Sequence, residues 1–234
     1  MTARVPRATE FVDRTPGLPD VRGFVHRPET PTGDALVLTH GAGANAESPL
    51  LVALATAFAD AGLVVLRCDL PFRQARRARP PSPRNAPVDR EGLRLATAAA
   101  RALVPGRVFL GGHSYGGRQA TILAAAMPDV ASALLLLAYP LHPPARPDEL
   151  RTAHFPELRT EALFVHGTAD PFGTVDEIGT AVALIAATTR VVTIDGVGHD
   201  LGRGRHRQGA DVTATIVREF LSFIGITARA TRPA

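Results

Sequence analysis

A chain of 234 residues that is 45% hydrophobic, only 5% aromatic and free of tryptophan fits one domain, with a core built from Ala, Val, Leu and Ile. Its 26 basic residues are all arginine and stand against 22 acidic ones. The net charge is therefore only +4, and scattered arginine excludes the clustered basic face that a nucleic-acid partner needs.

Residues 1–20 read as a loose arm, because Pro6, Pro16, Gly17 and Pro19 interrupt regular structure. The charges at Arg4, Arg7, Glu10, Asp13 and Arg14 leave no room for a secretory apolar segment, so a cytoplasmic location is expected. Val21–Arg27 reads as an edge strand. Ala35–Thr39 is a continuous apolar run that opens into His40-Gly41-Ala42-Gly43, the pattern of a buried parallel strand followed by a loop. Ser48 and Pro49 start a helix that runs to about Ala61.

Leu63–Cys68 is the next strand, followed by a Pro- and Arg-rich loop over 70–88 and an Ala-rich helix over Asp89–Leu103. Strands at Val108–Gly111, Ala133–Ala138, Ala162–His166 and Arg190–Ile194 then alternate with helices at Gly116–Met127, Asp176–Ala187 and Asp211–Ile224. This alternation predicts an α/β fold of three layers, a mostly parallel sheet with helices on both faces. Residues 21–226 form a single domain in this reading, and 227–234 a C-terminal tail. The Pro-rich stretch 139–160 is too short for a large cap domain. The longest apolar run, Ala131–Ala138 broken by Ser132, cannot span a bilayer, so no membrane partner is expected. The lone Cys68 excludes an internal disulfide and a cysteine metal site, and it packs as a small apolar residue.

Gly112-His113-Ser114-Tyr115-Gly116 matches G-x-S-x-G, and its setting gives the match weight. It follows a strand directly and opens a helix whose next residues, Gly117, Ala120 and Thr121, are small. Such a turn lifts a serine hydroxyl above the sheet edge. A serine needs a base at hydrogen-bond distance, itself oriented by an acid. Asp170 lies just past the strand Ala162–His166, and His199 lies in a glycine-rich loop before the last helix. Ser114, Asp170 and His199 are the expected catalytic triad. Asp195 and Asp200 are the rival acids, read as turn-forming or solvated. An oxyanion needs two donors: the backbone N–H of Tyr115, and that of Ala42 with Gly43 as the alternative. His40 is read as a brace for that loop.

These stretches resemble the α/β-hydrolase superfamily over about residues 21–226. More narrowly, the chain is similar to the small dienelactone-hydrolase-like branch of bacterial serine hydrolases. That branch is related to the testis-expressed and histone-acetyltransferase-complex hydrolase-like proteins of animals. The resemblance is carried by Thr39–Ala44 (THGAGA), Arg67–Phe72 (RCDLPF), Gly111–Arg118 (GGHSYGGR), Ala138–Pro143 (AYPLHP) and His166–Gly173 (HGTADPFG). Dienelactone hydrolases proper have a cysteine where this chain has Ser114, so their substrate does not carry over.

Position alone makes Arg73 or Arg76 in the 70–88 loop, and Arg118 after the elbow, candidates to hold an anionic substrate group. Tyr139 and His142 are expected to line an open site. The function expected is hydrolysis of carboxylic esters, or of thioesters and other small acyl substrates, without metal or cofactor. The alternative is a non-catalytic scaffold that binds a protein partner.

Overall fold

A computed structural model describes residues 8–75, 79–202 and 206–226. Its apolar runs become strands buried on both faces. All five residues of Ala35–Thr39 and of Ala133–Leu137 are buried. Period-two geometry then divides them: Leu36, Leu38, Leu135 and Leu137 enter one core, while Ala35, Val37, Leu134 and Leu136 enter the other.

The described strands are β1 (Ala8–Asp13), β2 (Val21–His26), β3 (Ala35–Thr39), β4 (Val64–Asp69), β5 (Val108–His113), β6 (Ala133–Leu137), β7 (Glu161–Gly167) and β8 (Thr189–Ile194). They form one sheet in the order β1-β2-β4-β3-β5-β6-β7-β8. β3 to β8 run parallel, and β2 lies antiparallel to both β1 and β4.

The described helices are α1 (Pro49–Asp60), α2 (Pro71–Ala75), α3 (Ala86–Arg101), α4 (Tyr115–Ala126), α5 (Val175–Val182) and α6 (His206–Phe223). Leu51, Leu54 and Phe58 of α1 join Ile216 and Phe220 of α6 on one face. Leu93 and Ala96 of α3, Ala120 and Leu123 of α4 and Ile178 of α5 cover the other. Small residues on α3 and α4 let these helices lie close to the sheet, and each fully buried leucine contributes about 1.5–3 kcal/mol. The three-layer α/β architecture is as expected, and the 139–160 segment forms no large cap; its only described helical piece is a 3₁₀ turn at Phe155–Glu157.

Four expectations need correction. Residues 8–13 of the supposed arm are a strand, paired from Ala8↔His26 to Asp13↔Val21, so the sheet edge expected at Val21–Arg27 is taken by β1. It is an edge strand whose Phe11 packs on the core, so its alternation is weak in sequence and the nearby prolines dominate the reading. Ser48 makes no side-chain cap, and α1 begins on the fixed backbone of Pro49. The 70–88 loop contains α2, and α3 starts at Ala86 with Pro87 in its first turn, not at Asp89. Finally, α5 ends at Val182 rather than Ala187. Residues 227–234 lie outside the described residues.

Candidate active site

Parallel strands bring the ends of β3, β5, β6, β7 and β8 to one rim, and the loops after them meet there. Between β5 and α4 stands a single residue, Ser114, with φ 50° and ψ −115°. A non-glycine residue in this region is strained and persists only where its surroundings hold it. Here the Ser114 N–H donates to the Leu137 carbonyl (2.8 Å), and the Ser114 carbonyl accepts from the Arg118 N–H (3.0 Å). The flanking glycines are required by space. A Cβ on Gly112 would lie 2.5 Å from the Gly116 carbonyl carbon, and one on Gly116 would lie 2.6 Å from the His40 carbonyl oxygen.

His199 reaches this serine from the loop after β8. Its Nε2 is 2.8 Å from Ser114 Oγ, and its Nδ1 is 2.8 and 3.0 Å from the two oxygens of Asp170. Because a carboxylate only accepts, Nδ1 carries the proton and Nε2 is left to accept from the hydroxyl. The Asp170 carboxylate is fully shielded, whereas 21% of the His199 side chain is exposed. Asp170 also accepts from the Phe172 N–H (2.9 Å), which fixes its loop. Asp195 instead accepts from Thr168 Oγ1 (3.2 Å), and Asp200 from the Gly202 N–H (3.2 Å). Asp170 is the acid that faces His199.

The loop after β3 lies against Ser114: a Cβ on Gly41 would sit 3.3 Å from Ser114 Cβ. Two side chains orient its peptides. His40 Nδ1–H donates to the Gly41 carbonyl (2.9 Å), and its Nε2 accepts from the Leu70 N–H (3.1 Å). Arg73 donates to the Ala42 carbonyl (2.5 Å). In trans peptides the N–H opposes the carbonyl, so fixing Gly41 O and Ala42 O fixes the directions of the Ala42 and Gly43 N–H groups. No described carbonyl or side-chain oxygen takes either N–H.

The sequence matches the profile of a family described as an alpha/beta hydrolase domain over residues 32–225, most of the chain. The chain belongs to that alpha/beta hydrolase family. Solved structures agree on the fold. A serine hydrolase homologue from Coxiella burnetii superposes with a TM-score of 0.73 at 17% identity, covering 93% of this chain and 99% of its own. Est1E from Butyrivibrio proteoclasticus gives 0.71 at 17%, covering 92% and 99%. A dienelactone hydrolase from Anabaena variabilis gives 0.69 at 22%, covering 93% and 98%.

The remaining candidates of this alpha/beta hydrolase are distributed differently from expectation. Arg73 is turned inward onto the Ala42 carbonyl, so it braces the loop instead of facing substrate. Tyr139 is 1% exposed; its ring packs with Phe155 and Phe164, and its hydroxyl donates to the Arg151 carbonyl (2.7 Å). It belongs to the wall's interior, because β6 ends only two residues earlier and turns the ring back under the 139–160 segment. His142 is likewise buried, with Nδ1 on the Pro143 carbonyl (2.9 Å) and Nε2 facing Glu177 at 3.5 Å. Neither lines the open rim. Arg118 sits at the elbow, and Arg76 lies outside the described residues. Cys68 is buried, and burial pushes its thiol up to about 12.

Four supporting residues were not singled out by the sequence. His113 donates Nε2–H to the His199 carbonyl (2.8 Å), and Phe172 stacks on the His199 ring with centroids 4.1 Å apart. His166 bonds the Gly173 carbonyl (2.7 Å), holding the acid's loop. Buried Asp89 accepts from both the Phe72 N–H (2.9 Å) and the Tyr115 hydroxyl (2.7 Å), tying α2 to the first turn of α4. The HSYGG and ADPFG stretches contain two of these, His113 and Phe172, as plain motif neighbours. Among the described residues no group of three or more His, Cys, Asp or Glu is placed to hold a metal ion, and no helix is long and apolar enough to cross a membrane.

Proposed function

We propose that this protein is a serine hydrolase that cleaves carboxylic esters, and thioesters or other small acyl compounds by the same route, through an acyl-enzyme intermediate. One observation carries the reading: a single imidazole touches both a strained serine hydroxyl and a buried carboxylate, at 2.8 Å on each side. A lone serine is a poor nucleophile, and this arrangement is what activates it.

Ser114 Oγ attacks the acyl carbonyl while His199 Nε2 takes its proton. Asp170 holds the Nδ1–H tautomer and stabilises the imidazolium that forms. The oxyanion is received by the Tyr115 N–H and by the Ala42 N–H, with Gly43 as the alternative second donor. His199 returns the proton to the leaving oxygen, and the alcohol departs. Water then enters by the same path, gives its proton to His199, and releases the acid. The partial exposure of His199 and the lack of a cap favour small or surface-accessible acyl groups.

The test is steady-state turnover of p-nitrophenyl acetate, butyrate and hexanoate by the purified chain. Turnover that obeys simple saturation and drops at least a thousandfold in Ser114→Ala is expected, since removing a triad member costs ~10³-fold or more. Rates that jump at the substrate's micellar limit would contradict the open site. Absence of turnover on every ester would favour the scaffold reading.

A further inference from the structure

Positive charge gathers beside the elbow: Asp89 answers Arg90 and Glu149 acts on Arg151, while no described carboxylate forms an ion pair with Arg118. Arg118 is the fourth residue after Ser114, about 6 Å further along α4. Helical side chains lean toward the N-terminus, so Arg118 leans back toward the nucleophile. Its Nε is buried and has no hydrogen-bond partner, and among the described residues its guanidinium has no ion pair.

Its neighbours repeat the same sign. The charge of Arg118 acts on Arg151 and on His154, and Arg90 acts on His154 as well. Burial and these two arginines hold His154 down to about 4. Arg90 is spent on Gln119 Oε1 (3.0 Å), and Arg151 on the Pro140 carbonyl (3.1 Å), both neutral partners. The acids of this region are shared, Asp89 with Arg90 and Glu149 with Arg151, and none is within ion-pair distance of Arg118. Asp89 accepts from Phe72 and Tyr115, Glu149 pairs with Arg146 (2.7 Å), and Glu91 pairs with Arg94 (2.7 Å). Like charges brought together at a partly buried surface raise the energy of the empty site, and an incoming anion relieves it.

We propose that Arg118, with Arg151 beside it, binds an anionic group of the substrate, so that the preferred esters carry a carboxylate or a phosphate-like group within about one arginine's reach of the scissile carbonyl. The planar guanidinium suits both chemistries, since each offers paired oxygens. The inference rests on Ser114 as nucleophile for its catalytic consequence, but the anion site itself stands without it.

Two measurements separate those parts. In the first, Ser114→Ala protein, which cannot turn over, is titrated calorimetrically with glutarate and, separately, with inorganic phosphate. Saturable binding of at least one is expected, weakened tenfold or more by adding Arg118→Gln and partly restored by Arg118→Lys. The added change Arg218→Gln, on exposed α6 of the opposite layer, serves as the charge-matched control. The stronger of the two anions tells whether carboxylate or phosphate is preferred. No binding of either, or binding equal in the Arg118→Gln protein, overturns the proposal.

In the second, kcat/KM is compared for p-nitrophenyl hemiglutarate and p-nitrophenyl pentanoate, which differ chiefly in the terminal charge. The wild-type ratio should favour the hemiglutarate and fall at least tenfold in Arg118→Gln. Turnover of both esters with a ratio untouched by Arg118→Gln defeats the anion site and leaves the nucleophile standing. Glutarate binding through Arg118 with no turnover of either ester does the reverse.

Discussion

His113, the residue just before Ser114, donates its Nε2–H to the main-chain carbonyl of His199 at 2.8 Å. β5 therefore leads into Ser114 and also grips the loop that carries His199. The two rings lie 5.4 Å apart, so a proton on His113 would place a charge beside the His199 imidazole.

Burial lowers the His113 pKa from 6.5 to about 4, and His26 and His154 are lowered to about 4 as well. In each case the folded value lies below the unfolded one, so the neutral form is favoured by folding. The stabilisation is complete above about pH 6.5 and is lost as pH falls toward 4. Melting temperature should therefore decline steadily over that window. His113→Gln, whose amide can still donate to the His199 carbonyl, should decline less steeply. Equal slopes would contradict the assignment.

Asp170→Asn should leave the fold intact while lowering kcat by about 10³–10⁴-fold, because the amide favours the wrong imidazole tautomer. Asp195→Asn and Asp200→Asn should change kcat little, since their carboxylates face Thr168 and the Gly202 N–H. The check is kcat for all three on one ester. A loss with Asp195→Asn as large as that of Asp170→Asn would reverse the assignment.

Much of this site is readable from residue types and spacing. The buried apolar runs, the glycines around Ser114, and an acid and a histidine after later strands each follow from a local requirement. The rest depends on long-range contacts. Nothing local to Asp89 foretells that it will meet Tyr115, and nothing local to Arg73 foretells that it turns onto the Ala42 carbonyl. Tyr139 illustrates the same limit: an aromatic residue just after a strand end can line a rim or pack under it. Here the fit against Phe155 and Phe164 decides. β1 leaves a weak signal in sequence because most of its residues are exposed and Phe11 is the one packed on the described core.

Gly112→Ala should destabilise the protein by at least about 2 kcal/mol, because the new methyl would overlap backbone of Gly116 and Gly117 rather than a movable side chain. Denaturant unfolding reads this directly. A midpoint equal to that of the wild type would show the turn to be looser than described.

Arg73→Met should lower kcat about tenfold with little change in KM, because the side chain acts on the direction of the Ala42–Gly43 peptide and not on substrate. Arg73→Lys should recover part of the rate. A rise in KM at unchanged kcat would instead point to substrate binding by Arg73.

We propose that Ser114 is a nucleophile activated by His199, and intact-mass analysis after treatment with a fluorophosphonate probes this chemistry itself. One adduct per wild-type chain is expected, located on the peptide containing Ser114, with none in Ser114→Ala and much slower labelling in His199→Ala. A wild-type chain that remains unmodified, or an adduct that persists in Ser114→Ala, would contradict it.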